Sequence, residues 1–468
     1  MIESMEMEEK LQQFNEDTER IIELLDNRSY FKAKEEILKH NEVDIAEILE
    51  EVLEQLGIEK TIIIFRMLPK DTSVEVFSYL PTDDQLAIID GITDKETAYI
   101  IKELDFDDMI DVLEELPANI VDKILEKTPK EERKLINTYL NYPETSAGSL
   151  MTPDYIGLKS GMTCREALNL IKEIGNDTET VYTCYVKGKT RTLEGIVSLR
   201  SLIVSDENTP ITEIMNDSDY VYVNVYDDQE EVAETFLKYG FLAIPVVDNE
   251  HKLVGIITVD DIMDVIEEEA TEDIERMAGV MDDSDTEYLD MGVFRHARNR
   301  LPWLLFMTVT LMLTGFILTA FEEVLSQVII LVSYLPLLMG TGGNVGTQAA
   351  SLIIRGMSVG DLETRDALKV LWKEFRVSVV IGLVLSIFNF TKIILIDGQS
   401  VMIALTVAVS MLCIVSFGKL LGSMLPIGAK RIGIDPALMA TPMIQSISDM
   451  VSSTLYMLIA AVFLGITL

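Results

Sequence analysis

Hydrophobic and polar positions change rhythm three times along this chain. Up to about residue 57 the sequence reads as charged and helical. Then Pro69, Pro81, Thr93, Asp105, Pro117 and Pro129 recur at a spacing of twelve, and Leu68, Leu80, Ile92, Leu104 and Leu116 stand directly before five of them. Short apolar and acidic stretches such as TDDQLAIIDGI and DDMIDVLEEL fill the intervals. Pro, Thr and Asp are residues that open helices, so a fixed period of this kind predicts a stack of short helices. Residues 1–140 are therefore expected to form an all-α superhelical N domain.

From about residue 142 the rhythm alternates between strand and helix. In FLAIPVVDNEHKLVGIITVDDIMDVI, strands at 243–247 and 253–258 flank a polar turn, and a helix begins near Asp260. A weaker copy runs TVYTCYVKGKTRTLEGIVSLRSLI, and the phrases SLMTPDYIGL and EIMNDSDYVYV introduce the two. The copies read as tandem α/β domains at 141–205 and 206–270, followed by a linker and helix at 271–300. They resemble a pair of cystathionine-β-synthase-type (CBS) domains, which commonly serve as ligand sensors. That resemblance implies that Thr258 and Asp261, which match a ribose-contacting Thr-x-x-Asp pattern, would hold an adenine nucleotide such as ATP. The first copy has Ser198 and Ser201 at these places, with no carboxylate.

The remaining rhythm is almost continuously apolar. Five spans, about 301–321, 324–354, 377–396, 401–425 and 436–468, are long enough to cross a bilayer, so 301–468 is expected to be a five-helix transmembrane domain. Arg295, Arg298 and Arg300 precede the first, Arg355, Arg365, Lys369, Lys373 and Arg376 follow the second, and Lys430 and Arg431 follow the fourth. Glu322, Glu323 and Asp397 lie in the opposite turns. The positive-inside rule then predicts a cytoplasmic amino-terminal half, a carboxyl terminus outside, and a multi-pass protein of the cell (inner) membrane. Pro302 and Trp303 suit the start of a helix at the interface. The second span, with YLPLLMGTGGNVGTQAASLIIR at its centre, allows both close helix packing and local unwinding.

Charge sharpens the division. Residues 301–468 carry nine acidic and nine basic side chains, so the net charge of −40 resides in positions 1–300. Such a surface repels nucleic acid, which is excluded as a partner, and offers oxygen ligands to hard divalent cations. Cys164, Cys184 and Cys413 form neither a metal spacing nor a disulfide framework. His40, His251 and His296 are scattered and no phosphate loop is present, so the chain does not read as an enzyme.

One carboxylate breaks the last apolar span. A bare Asp449 at membrane depth costs at least about 2.5 kcal/mol if it faces lipid. Thr441, Gln445, Ser446, Ser452 and Ser453 share its side of a helix, which reads as the wall of a cation-attracting passage. The alternative is a buried ion pair, for which Lys392 and Lys419 are the basic candidates, each near enough to a span end to snorkel. Asn344, in the glycine run of the second span, offers an amide oxygen to a hydrated cation opposite Asp449.

These features in this order resemble the MgtE family of magnesium channels. They are the helical repeats, NYPETSAGSLMTPDYIGL, the paired sensor domains, EEEATEDIERMAGV, ARNRLPWLLF, the glycine run around Asn344 and DPALMATPMIQSISD. The resemblance implies a homodimer with one ion path, Asp449 at the cation site, and Asn344, Thr441 and Gln445 lining it. Gln445 and Ser446 stand where the commoner family form has paired threonines. A plug helix is implied at about 285–300. Magnesium sheds its waters reluctantly, which suits a polar site for the hydrated ion; manganese, cobalt and nickel bind the same oxygen ligands.

The acidic half supplies a gate. Asp261, Asp264, Glu267, Glu268, Glu269, Glu272 and Asp273 crowd one sensor helix and its linker, and Asp105, Asp107, Asp108 and Asp111 crowd the helical repeats. Brought together they repel, and bound magnesium relieves the repulsion. Asp108, Asp261, Asp264, Glu269, Glu272 and Asp273 are the expected cytosolic sensing residues. A secondary-active carrier using Asp449 as an alternating-access site is the other reading, though such carriers usually show an internal membrane repeat that this chain lacks.

Overall fold

The computed structural model describes residues 2–281, 288, 289, 291–439 and 441–465. The chain divides into two compact units, Met1–Asp264 and Val265–Leu468.

Ten helices open the first unit: α1 (Ile2–Asp26), α2 (Tyr30–Ile37), α3 (Glu42–Leu56), α4 (Ile58–Phe65), α5 (Lys70–Ser78), α6 (Thr82–Gly91), α7 (Asp94–Glu103), α8 (Phe106–Glu115), α9 (Ala118–Lys127) and α10 (Lys130–Tyr139). Pro69, Pro81, Thr93, Asp105, Pro117 and Pro129 are the N-caps of α5 to α10. Gly57 caps α4 twelve residues earlier, extending the grid by one unit. Thr93 forms a capping box with Glu96, whose carboxylate also takes two hydrogen bonds from Arg66 at 2.8 and 2.9 Å. Leu68, Leu80, Leu104 and Leu116, just before four caps, are buried. From α1 to α6 each helix packs on the one two places on, among them α3 on α5, α4 on α6, α5 on α7 and α6 on α8, which is the superhelical stack the period predicts.

Two three-stranded sheets follow. β1 (Tyr155–Lys159), β2 (Thr180–Lys187) and β3 (Leu193–Ser198) form one, with α11 (Cys164–Ile174) and α12 (Leu199–Val204). β4 (Val223–Asn224), β5 (Ala243–Val247) and β6 (Leu253–Thr258) form the other, with α13 (Gln229–Tyr239) and the start of α14 (Val259–Ala278). In each sheet the first pair is parallel and the second antiparallel. The copies interlock reciprocally. Thr152, before β1, bridges Ile256 of β6, and Asn216, before β4, bridges Ile196 of β3. Gly255 and Gly195 permit this approach, because an added Cβ would meet the carbonyl oxygens of Thr152 and Asn216 at 2.8 and 2.7 Å. Cys164 and Cys184 are buried in the first copy's apolar core.

The second unit holds the remainder of α14, α15 (Val293–Ala320), α16 (Glu322–Gln327), α17 (Leu335–Ser358), α18 (Ala367–Leu395), α19 (Val401–Arg431) and α20 (Thr441–Leu464). Five of its segments are long and apolar enough to cross a membrane. Four sequence expectations change here. First, α14 runs unbroken across residues 270 and 271, where the sequence placed the start of a linker. Second, Pro302 does not open a helix, because α15 begins nine residues earlier and continues through it; membrane helices tolerate such a break in the hydrogen-bond ladder. Third, the long second span divides into α16, a 3₁₀ turn at Ile329–Tyr334 and α17, with Pro336 in the first turn of α17. Fourth, the glycine run is unbroken helix and serves packing. A Cβ on Gly418 would meet the Gly342 carbonyl oxygen at 2.5 Å, and one on Gly422 the Gly346 oxygen at 2.0 Å, so α17 and α19 run parallel with their backbones in contact. Of the expected plug, residues 285–287 and 290 lie outside the described residues.

Candidate ion path and acidic clusters

Asp449 is the ninth residue of α20 and is half-buried. Among the described residues its carboxylate has no hydrogen-bond or ion-pair partner. Both candidate counter-ions are engaged elsewhere. Lys392 donates to Asp397 at 2.7 Å. Lys419 does not snorkel: it is 4 % exposed and faces the half-buried Glu374 of α18 across 3.8 Å. The ladder between α18 and α19 accounts for its inward aim, since Ser378 bonds Ser416, Gly382 meets Leu412 and Ser386 donates to the Ala408 carbonyl in the same antiparallel register.

The polar stripe on α20 divides in two. Gln445, one turn before Asp449, is exposed, as are Asn344 and Gln348 on α17. The serines are buried instead. Ser446 accepts a hydrogen bond from Thr310 of α15 at 2.9 Å, and Ser448 and Ser452 lie against Gly342, where an added Cβ would meet either hydroxyl at 2.7 Å. A Cβ on Gly343 would stand 3.1 Å from Cγ of Gln445, so the faces bearing Asn344 and Gln445 belong to adjoining helices. The Thr441 side chain lies outside the described residues.

The six expected sensing residues fall into two groups. Asp108, Asp261 and Asp264 belong to the first unit, where Asp105, Asp107, Glu179 and Asp260 join them. Burial, with the charges of Asp261, Glu179 and Asp108 nearby, pushes Asp107 up to about 9, and its Oδ1 is buried without a partner among the described residues. Burial also raises Glu179 to about 7, with Asp105, Asp261, Asp260 and Asp108 adding repulsion, and Asp108 to about 6, with Asp105, Asp261 and Asp260 contributing. Asp261 is raised to about 6 by burial despite a 2.7 Å hydrogen bond from Thr258. In the first copy Ser198 and Ser201 hydroxyls pair at 2.8 Å.

Glu269, Glu272 and Asp273 belong to the second unit. Burial raises Asp273, the nearby Asp435 adds repulsion, and Ser358 donates to it at 3.3 Å. Arg276 links Glu272 to Asp435, the latter at 2.6 Å. Among the described residues, no three His, Cys, Asp or Glu side chains stand close enough together to hold a metal ion. The donor set is nonetheless all carboxylate, the hard oxygen chemistry magnesium takes, and Asp107 leaves one buried oxygen unmet. Sequence singled out Asp108 from its acidic run, whereas burial singles out Asp107. Glu179 and Asp435 were missed, since Asp435 stands alone in sequence, Glu179 has only Asp177 close by, and only the fold brings them beside the other carboxylates.

Comparison with known proteins accords with this arrangement. Residues 335–459 match a family profile described as divalent cation transporter, 40–145 one described as MgtE intracellular N domain, and 211–268 the CBS domain. The magnesium transporter MgtE of Thermus thermophilus is 42% identical over 332 residues, covering 71% of this chain and 73% of that protein. The Enterococcus faecalis magnesium transporter MgtE is 34% identical over 337 residues, covering 71% and 72%. A crystal structure of the cytosolic domain of the Mg2+ channel MgtE in complex with ATP is 35% identical, covering 50% of this chain and 94% of that one, with a TM-score of 0.47. With three family profiles matched in order and curated magnesium transporters alike over more than two thirds of their length, this chain belongs to the MgtE family of magnesium transporters.

Proposed function

We propose that two copies of the chain form a magnesium channel that imports the ion across the cell membrane, with Asp449 at the ion site and Asn344, Gln445 and Thr441 along the path. The observation that carries this reading is Asp449 itself, a membrane carboxylate with no ion-pair partner among the described residues, since Lys392 and Lys419 are committed to Asp397 and Glu374. Left facing lipid it is costly; facing a hydrated divalent cation it is neutralised. Two further observations support a homodimer. Asn344, Gln348 and Gln445 are exposed at membrane depth, where polar groups need water or protein beside them. In the first unit, Ile203, Val204, Leu237 and Met263 are large apolar side chains exposed on the sensor-domain helices.

The basic loops support a cytosolic amino-terminal half and a carboxyl terminus outside. Cytosolic magnesium is taken up by the acidic groups around Asp107, Asp108 and Asp261 in the first unit and by those around Glu269, Glu272 and Asp273 in the second. It thereby favours a compact closed state over an open one in which the carboxylates stand apart. Thr258 and Asp261 are the ribose-binding pair of the second sensor copy, so ATP and magnesium would compete for Asp261.

Patch recording of the full chain in liposomes, with magnesium the only permeant cation, tests the reading. Unitary currents that vanish as cytosolic-side magnesium rises from micromolar to about tenfold above millimolar, and that are absent in Asp449→Ala, are expected. Flux without unitary currents would replace the channel by a carrier, and currents indifferent to cytosolic magnesium would remove the acidic gate.

A further inference from the structure

One face of α18 carries charge that no carboxylate neutralises among the described residues. In the basic stretch entering this helix, Arg365 is paired with Glu363 and Lys369 with Asp366. Lys373 and Arg376 are exposed and have no carboxylate partner among the described residues. The carboxylate between them, Glu374, faces Lys419. Lys373 and Arg376 instead line a shallow, open groove of about 410 Å³ along α18, floored by Val377, Val380 and Ile381.

The same stripe continues as Val384 and Ile387, at 62% and 66% exposure, spaced so that all lie on one helical face. From Arg376 to Ile387 that face runs roughly 16 Å, about half the hydrocarbon thickness of a bilayer. Trp372 marks the depth of the charged end. It is 59% exposed, its ring stacks on Phe375 at 5.8 Å between centroids, and the Arg376 guanidinium lies 5.9 Å from its centre. Exposed tryptophan at the end of an apolar stripe belongs at the headgroup level.

We infer that this groove is a site for one anionic phospholipid, its phosphate held by Lys373 and Arg376 and one acyl chain laid along Val377, Val380 and Ile381. Cations at an interface attract anionic headgroups, and an apolar wall of one leaflet's depth selects a lipid over a soluble phosphate. The site stands on the membrane half alone and is independent of how the channel gates. It also lies behind Glu374, so a bound lipid would brace the side of α18 opposite its contact with α19.

The test is lipid retention by the full chain in nanodiscs of phosphatidylglycerol and phosphatidylcholine in equal parts, read by native mass spectrometry, with thermal midpoint and gel filtration as checks of folding. Phosphatidylglycerol should be retained in preference. The double substitution Lys373→Ala, Arg376→Ala should weaken it roughly thirtyfold, at about one interfacial cation's worth each. Val380→Trp, which fills the groove and leaves both charges, should weaken it as well, while Lys369→Ala, whose charge is already neutralised, should not. Equal retention of both lipids, or of phosphatidylglycerol by the double variant, would overturn the site. So would displacement of the lipid by millimolar inorganic phosphate, which would mark a phosphate site without a chain. Should the double variant fail the folding checks, Val380→Trp decides alone.

Discussion

Replacing Gly422 by alanine probes the closest helix contact in the membrane unit. The new Cβ would stand 2.0 Å from the carbonyl oxygen of Gly346, a backbone atom that cannot swing aside. Reaching an ordinary contact of 3.4 Å requires α17 and α19 to part by about 1.4 Å at this crossing. Overpacking of this kind costs about 1–3 kcal/mol, and the gain in helix propensity from Gly to Ala returns at most about 1 kcal/mol. For a unit of this size each kcal/mol moves the melting temperature by roughly 2–4 °C. Gly422→Ala is thus expected to melt about 4 °C below the parent. Magnesium flux should fall too, because α17 carries Asn344 and moves with the crossing. Gly428→Ala is the control in the same helix, where an added Cβ meets nothing within 4 Å, and it should melt at or slightly above the parent temperature. Scanning calorimetry in detergent and flux into liposomes read both. If both variants melt within about 1 °C of the parent and conduct alike, the glycine crossing is not the constraint described here.

Three further outcomes follow from other contacts. Lys419→Ala leaves the half-buried Glu374 without its partner and should cost about 1–3 kcal/mol, while Lys419→Met with Glu374→Met should recover most of the loss; a double variant as unstable as the single would refute the pairing. In magnesium-free buffer the first unit should lose thermal stability as pH rises. The raised carboxyls of Asp108, Asp261, Glu179 and Asp107 keep protons in the folded state that the unfolded chain, near its ordinary values of 3.8 and 4.5, releases. The stability is full below about pH 4 and is lost through about 6, 7 and 9, and calorimetry showing a flat profile would contradict the cluster. Asp107→Asn abolishes the proton uptake that folding demands of this buried carboxyl at neutral pH, so it should raise the low-magnesium melting temperature and reduce the further rise that magnesium produces; an unchanged magnesium response would exclude Asp107 from the site.

Much of the fold was legible because its signals are local. Proline, threonine and aspartate announce a helix start by their own chemistry, so six of the N-caps stood in plain view. Gly57 did not, since its cap rests on a left-handed backbone, φ +78, which leaves no side-chain mark. The strands at 243–247 and 253–258 fell as expected because both the alternation and the turn are local. The break between α16 and α17 and the passage of α15 through Pro302 depend on neighbours and solvent that periodicity does not register. In the same way Asp449 is conspicuous as a charge in an apolar run, whereas the inward aim of Lys419 becomes visible only when α18 supplies Glu374.

The grid of caps at Gly57, Pro69, Pro81, Thr93, Asp105, Pro117 and Pro129 gives the N domain a natural unit of length. Excising residues 82–93 would remove one helix together with the cap that follows it and leave Pro81 directly before Asp94, already in place as the opening residue of α7. A loss or gain of any other size would put a helix interior where a cap must stand. Such a domain can change its reach in whole steps, adding or shedding a helix without redesigning any junction, so size variants in its lineage are expected to differ by multiples of this unit.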